Sequence, residues 1–505
     1  MRDKIRFYLN SQLIEVNGAS VFMSLAEFLR YEKGLVGTKI VCAEGDCGAC
    51  TVLMQPPQNT HQNSQANNLP RQPPKSITKS ITKSITKSIT DQELMYRAVN
   101  SCILLVGQLD GCRLITIEAM AHSKSELHPI QNAIRDAHAS QCGFCTPGFV
   151  MAFAGMLEGS YDFTEQSVKN HLTGNLCRCT GYQPLVDAGI SLKKVKIPKL
   201  SEKFRIQYEN LDAESSAVVE DAGRRFVVPM NLNELIKFRQ KFPKAVLVSS
   251  GTDLGVACNK GKLRPDTFIS LHRIADFYQF QKSKNTLRLG SRVSVGALRR
   301  LVKDDFPELG EFIDIFASPQ IKNLATVVGN IANASPIGDL PPVMMALNAE
   351  VEILNPVTSS LRQLSLRQLY LGYKKLDLKE GEIITAVVFN IPPKGTLVHL
   401  KKVSQRRDLD ISTINAAFVA QLDKDVCHEV CFALGGVAEI PLRLPKTEKL
   451  LQGKKLSQIN RAQVLDQLQN EIRPISDLRA PSAYRRLVAH NLLGDFLTNM
   501  GVLTP

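Results

Sequence analysis

No apolar run in this chain approaches the ~18–20 residues that a membrane-crossing helix needs. The first residues, MRDKIRFYLN, have neither the apolar stretch nor the small-residue cleavage site of a secretory leader, so a cytosolic protein is expected. A helix-turn-helix, a zinc finger and an RNP pattern are also missing, which removes the usual signatures of nucleic-acid binding. No Gly-x-Gly-x-x-Gly follows a strand-like segment, so nothing points to a Rossmann-type dinucleotide fold. What is present is ordinary for a globular protein: 44% hydrophobic and 22% charged residues. At 505 residues the chain exceeds what one core supports, and several domains are expected.

The cysteines are distributed unevenly. Eight of twelve fall into two groups in the N-terminal part of the chain. The first is Cys42-Ala-Glu-Gly-Asp-Cys47-Gly-Ala-Cys50, the C-x4-C-x2-C spacing of a plant-type [2Fe–2S] site, which needs a distant fourth thiolate. Cys102 and Cys112 are the candidates, with Cys102 favoured because it precedes a strand in a helix-like segment. The glycines between the cysteines let the backbone wrap a cluster without a Cβ in the way. The second group is Cys142-Gly-Phe-Cys145 with Cys177-Arg-Cys179. By count alone it suits an iron–sulfur cluster or zinc. Clustered thiols in a cytosolic chain favour metal over disulfide. Cys258, Cys427 and Cys431 read as core residues.

The chain divides by composition. Residues 1–118 read as a strand-rich domain, with a hairpin of Ile5–Leu9 and Gln12–Val16 about Asn10-Ser11 and a helix opening at Ser24. Within it, residues 55–91 are rich in Gln, Asn and Pro and then repeat Lys-Ser-Ile-Thr four times over Lys75–Thr90, which reads as a disordered insertion. Residues 119–192 read as helical, 193–222 as a linker, 223–392 as a mixed domain and 393–505 as a C-terminal portion ending in a helix over Ala480–Asn499. The net charge of +14 reads as a solvated lysine-rich surface, or as a face that docks an acidic partner subunit. Each bound oxidised [2Fe–2S] centre, at roughly −2 with its thiolates, would reduce it.

Three motifs in this order, Cys42-Ala-Glu-Gly-Asp-Cys47-Gly-Ala-Cys50, Gln141-Cys142-Gly-Phe-Cys145-Thr-Pro-Gly and Gly174-Asn-Leu-Cys177-Arg-Cys179-Thr-Gly-Tyr, resemble the molybdenum hydroxylases. The resemblance implies two [2Fe–2S] clusters, one on Cys42, Cys47, Cys50 and Cys102, the other on Cys142, Cys145, Cys177 and Cys179. It continues in Val248-Ser249-Ser250-Gly251-Thr252-Asp253-Leu254, similar to that family's flavin pyrophosphate loop, where small residues let backbone N–H groups approach phosphate. Phe316 and the segment Thr326-Val327-Val328-Gly329-Asn330, with Asp339, resemble its FAD-embracing residues; Ile384 and Lys402 complete the implied set. By motif position Phe316 would lie near the isoalloxazine ring. Val328 and Ser250 depart from the family, which often has glycine at both positions.

The implied architecture is multidomain α+β. It comprises a β-grasp ferredoxin-like domain, an all-α cluster-binding helical bundle, an α+β FAD domain of the vanillyl-alcohol-oxidase (PCMH) type and a C-terminal α+β subdomain. The family's molybdopterin domain has no counterpart within 505 residues. A separate molybdopterin-binding large subunit in a heterotetramer or larger assembly is therefore the expectation, with no nucleic acid and no membrane. The resemblance implies electron transfer from that subunit's xanthine or hypoxanthine oxidation through both clusters to FAD and then NAD+. An aldehyde or N-heterocycle dehydrogenase, or a stand-alone electron carrier, is the alternative. No catalytic acid or base is assigned. Arg406-Arg407-Asp408 is a candidate NAD+ contact against a plain surface charge cluster.

Overall fold

The computed structural model describes residues 1–57, 85–87, 95–121, 126–204, 211 and 215–502. The expected hairpin forms: β1 (Ile5–Leu9) and β2 (Gln12–Val16) pair antiparallel, with Asn10 and Ser11 at positive φ. Ser24 caps the following turn, exchanging hydrogen bonds with Glu27 in a capping box. The cysteine loop leads into β3 (Thr51–Gln55). Most of the sequence-expected disordered insertion lies outside the described residues. Its described parts are Gln55–Pro57 and β4 (Ile85–Lys87), whose backbone joins a sheet described below. β5 (Arg97–Asn100) and β6 (Arg113–Ile115) complete a mixed five-stranded sheet in the order β2-β1-β6-β3-β5.

Four helices follow: α1 (Pro129–Asp136), α2 (Thr146–Glu158), α3 (Glu165–Leu172) and α4 (Gln183–Ser191). Proline near the start of α1, α2 and α4 occupies a position where the missing N–H has no intrahelical role. α2 is apolar nearly all round and buried, the central rod of a core that also takes Leu53, Ala98 and Ile115 from the first sheet.

The segment expected as a linker over 193–222 ends in a strand, β7 (Ala217–Asp221). With β8 (Arg224–Val228), β9 (Val246–Val248) and β10 (Thr267–Ser270) it forms a sheet ordered β7-β8-β10-β9, accompanied by α5 (Leu232–Lys241) and α6 (Leu254–Asn259). This sheet and the N-terminal sheet share one core, in which Phe7, Leu25 and Val52 meet Ala217, Phe226 and Phe268.

A second sheet holds β11 (Phe280–Lys282), β12 (Thr286–Gly290), β13 (Glu350–Leu354), β14 (Leu361–Ser365) and β15 (Ile383–Asn390), ordered β14-β13-β15-β12-β11-β4. Its connections carry α7 (Pro319–Leu324), α8 (Val327–Ala332) and α9 (Leu340–Ala346). The C-terminal part is an antiparallel sheet of β16 (Leu397–Val403), β17 (Ile414–Asp423), β18 (Val426–Gly435) and β19 (Leu442–Arg443), covered by α10 (Arg461–Glu471) and α11 (Ser482–Asn499). At its centre Phe432 packs edge to face with Phe418 and Phe496, which meet each other at a tilt. No helix among the described residues is long and apolar enough to cross a membrane.

Candidate metal and cofactor sites

Strand pairing closes the first cysteine site. Thr51 sits opposite Asn100 in the β3–β5 ladder, so the chain ends flanking the long insertion lie side by side. Ser101 N and Oγ both donate to Cys50 O, at 3.3 and 2.7 Å. Cys102 thereby meets the thiols of Cys42 and Cys50, while Cys42 also meets Cys47. Cys112 is buried elsewhere, its thiol 3.8 Å from Gln108 O. Hydrogen bonds from Cys102 and Cys47 hold the Cys42 thiol well below its ordinary range, and a bond from Cys102 lowers Cys50. The same contacts with Cys42, joined for Cys102 by Cys50, raise Cys47 and Cys102. Gly45 and Gly48 take positive φ where the loop wraps these sulfurs.

In the second site the sulfurs meet two by two, Cys142 with Cys179 and Cys145 with Cys177. Burial pushes the Cys145 thiol up to about 12. For Cys177 burial works upward too, but hydrogen bonds from Thr180 outweigh it and the thiol is lowered. Among the described residues no group of three or more His, Cys, Asp or Glu side chains is arranged to hold a metal ion. Each site is instead an all-sulfur set, a run of four contacting thiols in the first and two contacting pairs in the second, and a bridged di-iron cluster takes two thiolates on each iron. The donor sets fit [2Fe–2S] groups on that chemistry. The second site is the exposed one: Cys142 and Cys179 are exposed, and so are Phe144 and Leu176, which directly precede Cys145 and Cys177, at 51% and 44%.

The two sites are hydrogen-bonded to each other. Leu176 N, next to Cys177, donates to Cys47 O at 2.9 Å. A Cβ on Gly48 would stand 2.2 Å from Gly174 O, so glycine is required for this approach.

A cleft of about 420 Å³ opens between the two sheets of the mixed domain. Ser249, Ser250, Gly251, Thr252, Asp253 and Leu254 line one wall, and Thr326, Val328, Gly329, Asn330 and Ile384 line the other. Gly251 has φ +79°. The N–H groups of Ser250, Gly251, Thr252 and Asp253 have no protein acceptor among the described residues. A row of unpaired N–H groups in a small-residue loop is an anion cradle, and it fits a pyrophosphate. Ser250 and Val328, the two departures from glycine, both face the cleft, so their side chains border the cofactor space.

Val248 and Val327 are buried behind this lining. Phe316, Asp339 and Lys402 form a neighbouring polar group. Lys402 Nζ reaches Asp339 Oδ2 at 2.8 Å and Phe316 O at 3.2 Å, and Ser412 donates to Asp339 Oδ1 at 2.5 Å. Asn330 connects the two groups, its Oδ1 accepting from Leu340 N at 3.3 Å. Arg406 Nη2 donates to Leu409 O at 2.7 Å and pairs with Asp410, within its own loop.

Sequence reasoning missed several residues. Arg239 and Glu382 line the cleft. Arg292 donates to Ser249 O and to the Tyr278 hydroxyl, and pairs with no carboxylate among the described residues. Gln108, from the N-terminal domain, lies where a Cβ on Gly251 would be, 2.7 Å away. Asn259 and Gln320 cross between domains. None of these carries a local motif, so only a three-dimensional fold could find them.

Residues 116–189 match a [2Fe-2S] binding domain, 220–393 the FAD binding domain in molybdopterin dehydrogenase, and 399–500 the CO dehydrogenase flavoprotein C-terminal domain. The chain is similar to xanthine dehydrogenase 2 of Arabidopsis thaliana, 28% identical over 524 residues, covering 89% of this chain and 36% of that protein. It is also similar to xanthine dehydrogenase of Drosophila subobscura, 26% identical over 547 residues, covering 96% of this chain and 38% of that one. The chain thus spans little more than a third of the length of these curated relatives. Among solved structures, a chain of a Cu,Mo-CO dehydrogenase aligns at 25% identity and a TM-score of 0.50, covering 53% of this chain and 94% of that one.

Proposed function

We propose, for a chain built of the iron–sulfur and FAD domains of the molybdenum hydroxylases, that it is an electron-transfer subunit, receiving electrons at an exposed second cysteine site and delivering them to FAD. The observation that carries this reading is the line of hydrogen-bonded contacts from Cys177 through Leu176 to Cys47, and from Cys102 to Asn259 of the flavin domain.

Bound in these sites, two [2Fe–2S] clusters would carry single electrons and FAD would couple them to two-electron chemistry. The residues of this chain bind and orient. Cys142, Cys145, Cys177 and Cys179 hold the entry site at a surface bordered by Phe144 and Leu176, which suits a docked partner. Cys42, Cys47, Cys50 and Cys102 hold the second carrier, walled from water by Ala26, Ile103 and half-buried Ile40, Val256 and Ile321. Ser250–Asp253 would cradle the pyrophosphate with N–H groups, and Val248 and Val327 back the two walls. Phe316, Asp339 and Lys402 would border the flavin ring.

In this reading the donor is a molybdopterin-binding partner oxidising xanthine or hypoxanthine and the acceptor is NAD+; the names of the xanthine dehydrogenase relatives support xanthine as the substrate, and NAD+ rests on the resemblance of the cysteine motifs. A second reading, in which the partner acts on another substrate, is supported by the likeness to a CO dehydrogenase chain. Iron, acid-labile sulfide and flavin per chain test the core of the proposal: two clusters' worth of iron and sulfide with stoichiometric FAD is expected. Zinc with no flavin would sink it. Bleaching of the visible spectrum by NADH, and co-purification with a molybdenum-bearing chain, test acceptor and donor separately.

A further inference from the structure

Gln320 belongs to the flavin domain, at the first turn of α7, yet its side chain ends between the two cysteine sites. It is fully buried. Its Nε2 donates to Asn175 Oδ1 at 2.7 Å and to Thr51 Oγ1 at 3.3 Å. Asn175 stands two residues before Cys177, and Thr51 directly follows Cys50. Asn175 Nδ2 in turn donates to Gly48 O at 3.2 Å, and the Thr51 hydroxyl donates to the same carbonyl at 2.6 Å. Gly48 follows Cys47, whose carbonyl takes the Leu176 N–H. One amide therefore holds a neighbour of a ligand from each site, on either side of the peptide contact that joins them.

Close packing surrounds this contact. A Cβ on Gly148 would lie 2.4 Å from Gly48 O, and one on Gly174 would lie 2.0 Å from Gln320 Oε1. The same short helix reaches the first site by two further residues. Ile321 packs on the apolar jacket of Cys50 and Cys102, and Asn323 Nδ2 donates to Ala98 O at 2.9 Å. Filling space alone would favour an apolar side chain here. Gln320 instead keeps an amide out of water with its Oε1 unpartnered, a cost that packing does not require.

We propose that Gln320 is a positioning residue for electron transfer between the two cysteine sites, keeping the Leu176–Cys47 contact in register. The inference rests on the electron-transfer reading above. The step moves one electron: the donor site is oxidised by one, the acceptor site reduced by one, and no bond forms or breaks. Tunnelling decays steeply with separation, so the chain's contribution is the fixed distance and the through-bond contact.

The test uses the full chain loaded with iron and flavin. In Gln320→Leu, iron and FAD content should match the wild type. The magnetic interaction between the two reduced centres, read by low-temperature electron paramagnetic resonance, should weaken, and transfer between them should slow severalfold, as exponential tunnelling decay gives for a small added separation. Gln320→Glu, which keeps the shape but loses the amide donor, should behave like the leucine variant. Unchanged coupling and rate at full iron content would overturn the proposal. Should Gln320→Leu fail to fold, Asn175→Asp decides: it keeps the acceptor for Gln320 and loses the donor to Gly48 O, and an unchanged coupling there overturns the proposal equally. Wild-type protein that takes up no iron would overturn the functional reading itself, a separate result.

Discussion

Asn259, on the last turn of α6 in the flavin domain, donates from its Nδ2 to the carbonyls of Cys102 and Ala43, each at 2.8 Å. One flavin-domain amide thus touches both ends of the first cysteine site. The approach is possible because Gly255 lies against Ile103, where a Cβ would stand 2.1 Å from the Ile103 carbonyl. Replacing Asn259 by Leu leaves both carbonyls without this donor. A loss of about 1–2 kcal/mol is expected, seen as a lower temperature for bleaching of the first centre, with the second centre unaffected.

Cys102 and Cys112 make opposite predictions. Cys102→Ala removes a sulfur in contact with Cys42 and Cys50, and the chain should lose one cluster's worth of iron. Cys112→Ala removes a buried thiol distant from that set and should keep all the iron. Iron analysis of both variants checks the assignment.

Arg292 stands behind the Ser249–Asp253 loop. It holds the Ser249 carbonyl, so the trans peptide turns the Ser250 N–H the other way, toward the cleft. Its charge, stacked 5.2 Å from the Tyr278 ring centre and unpaired by any carboxylate among the described residues, is free to offset a bound pyrophosphate. Arg292→Ala should weaken FAD binding by about tenfold or more, the scale of a charge-assisted hydrogen bond. Arg292→Lys should fall between. Flavin fluorescence titration of the apoprotein measures both.

His272 sits at the seam between the N-terminal and flavin domains. Its Nε2 donates to Asp110 O at 2.9 Å and its Nδ1 accepts from Ser270 Oγ at 2.8 Å. Burial pushes its pKa down to about 3. A depressed folded-state pKa means the neutral form is the native one. Stability is then fully present above the unfolded value of 6.5 and is lost progressively as the pH falls toward 3. Unfolding free energies measured by denaturant titration between those limits should decline with a slope of about one proton, ~1.4 kcal/mol per pH unit. His272→Gln should remove that part of the decline.

Gly48→Ala tests the contact between the cysteine sites. The new methyl meets Gly174 O at 2.2 Å and the backbone holds φ +66°. Both costs act together, and a destabilisation of more than about 2 kcal/mol is expected, visible as a fall in melting temperature with early loss of iron.

Local patterns in the sequence were legible where local geometry suffices. Asn10-Ser11 between alternating runs gives the hairpin, because a tight turn needs residues that tolerate positive φ. The expected linker was misread at its end, since Ala217–Asp221 is a polar-looking edge strand whose partner, β8, supplies most of the buried face. Phe316, Asp339 and Lys402 come together although 86 residues separate the outer pair, and family likeness rather than spacing pointed to them. Arg292, Asn259 and Gln320 had no signal at all, because a side chain that acts across a domain boundary leaves no spacing to read.

The sequence by itself determined that Cys42, Cys47 and Cys50 share one loop, that Cys142 and Cys145, and Cys177 and Cys179, are near neighbours along the chain, and that Ser249–Asp253 is a loop of small and polar residues. Those are short-range matters, settled by spacing and by glycine's freedom at positive φ. Only the tertiary structure decided that Cys102 and not Cys112 meets the first group, and that a peptide hydrogen bond joins the two sites. It alone also decided that the flavin domain reaches into both sites. The physical reason is that strand pairing and close backbone packing bring together residues far apart in the chain, and no local pattern encodes which ones will meet.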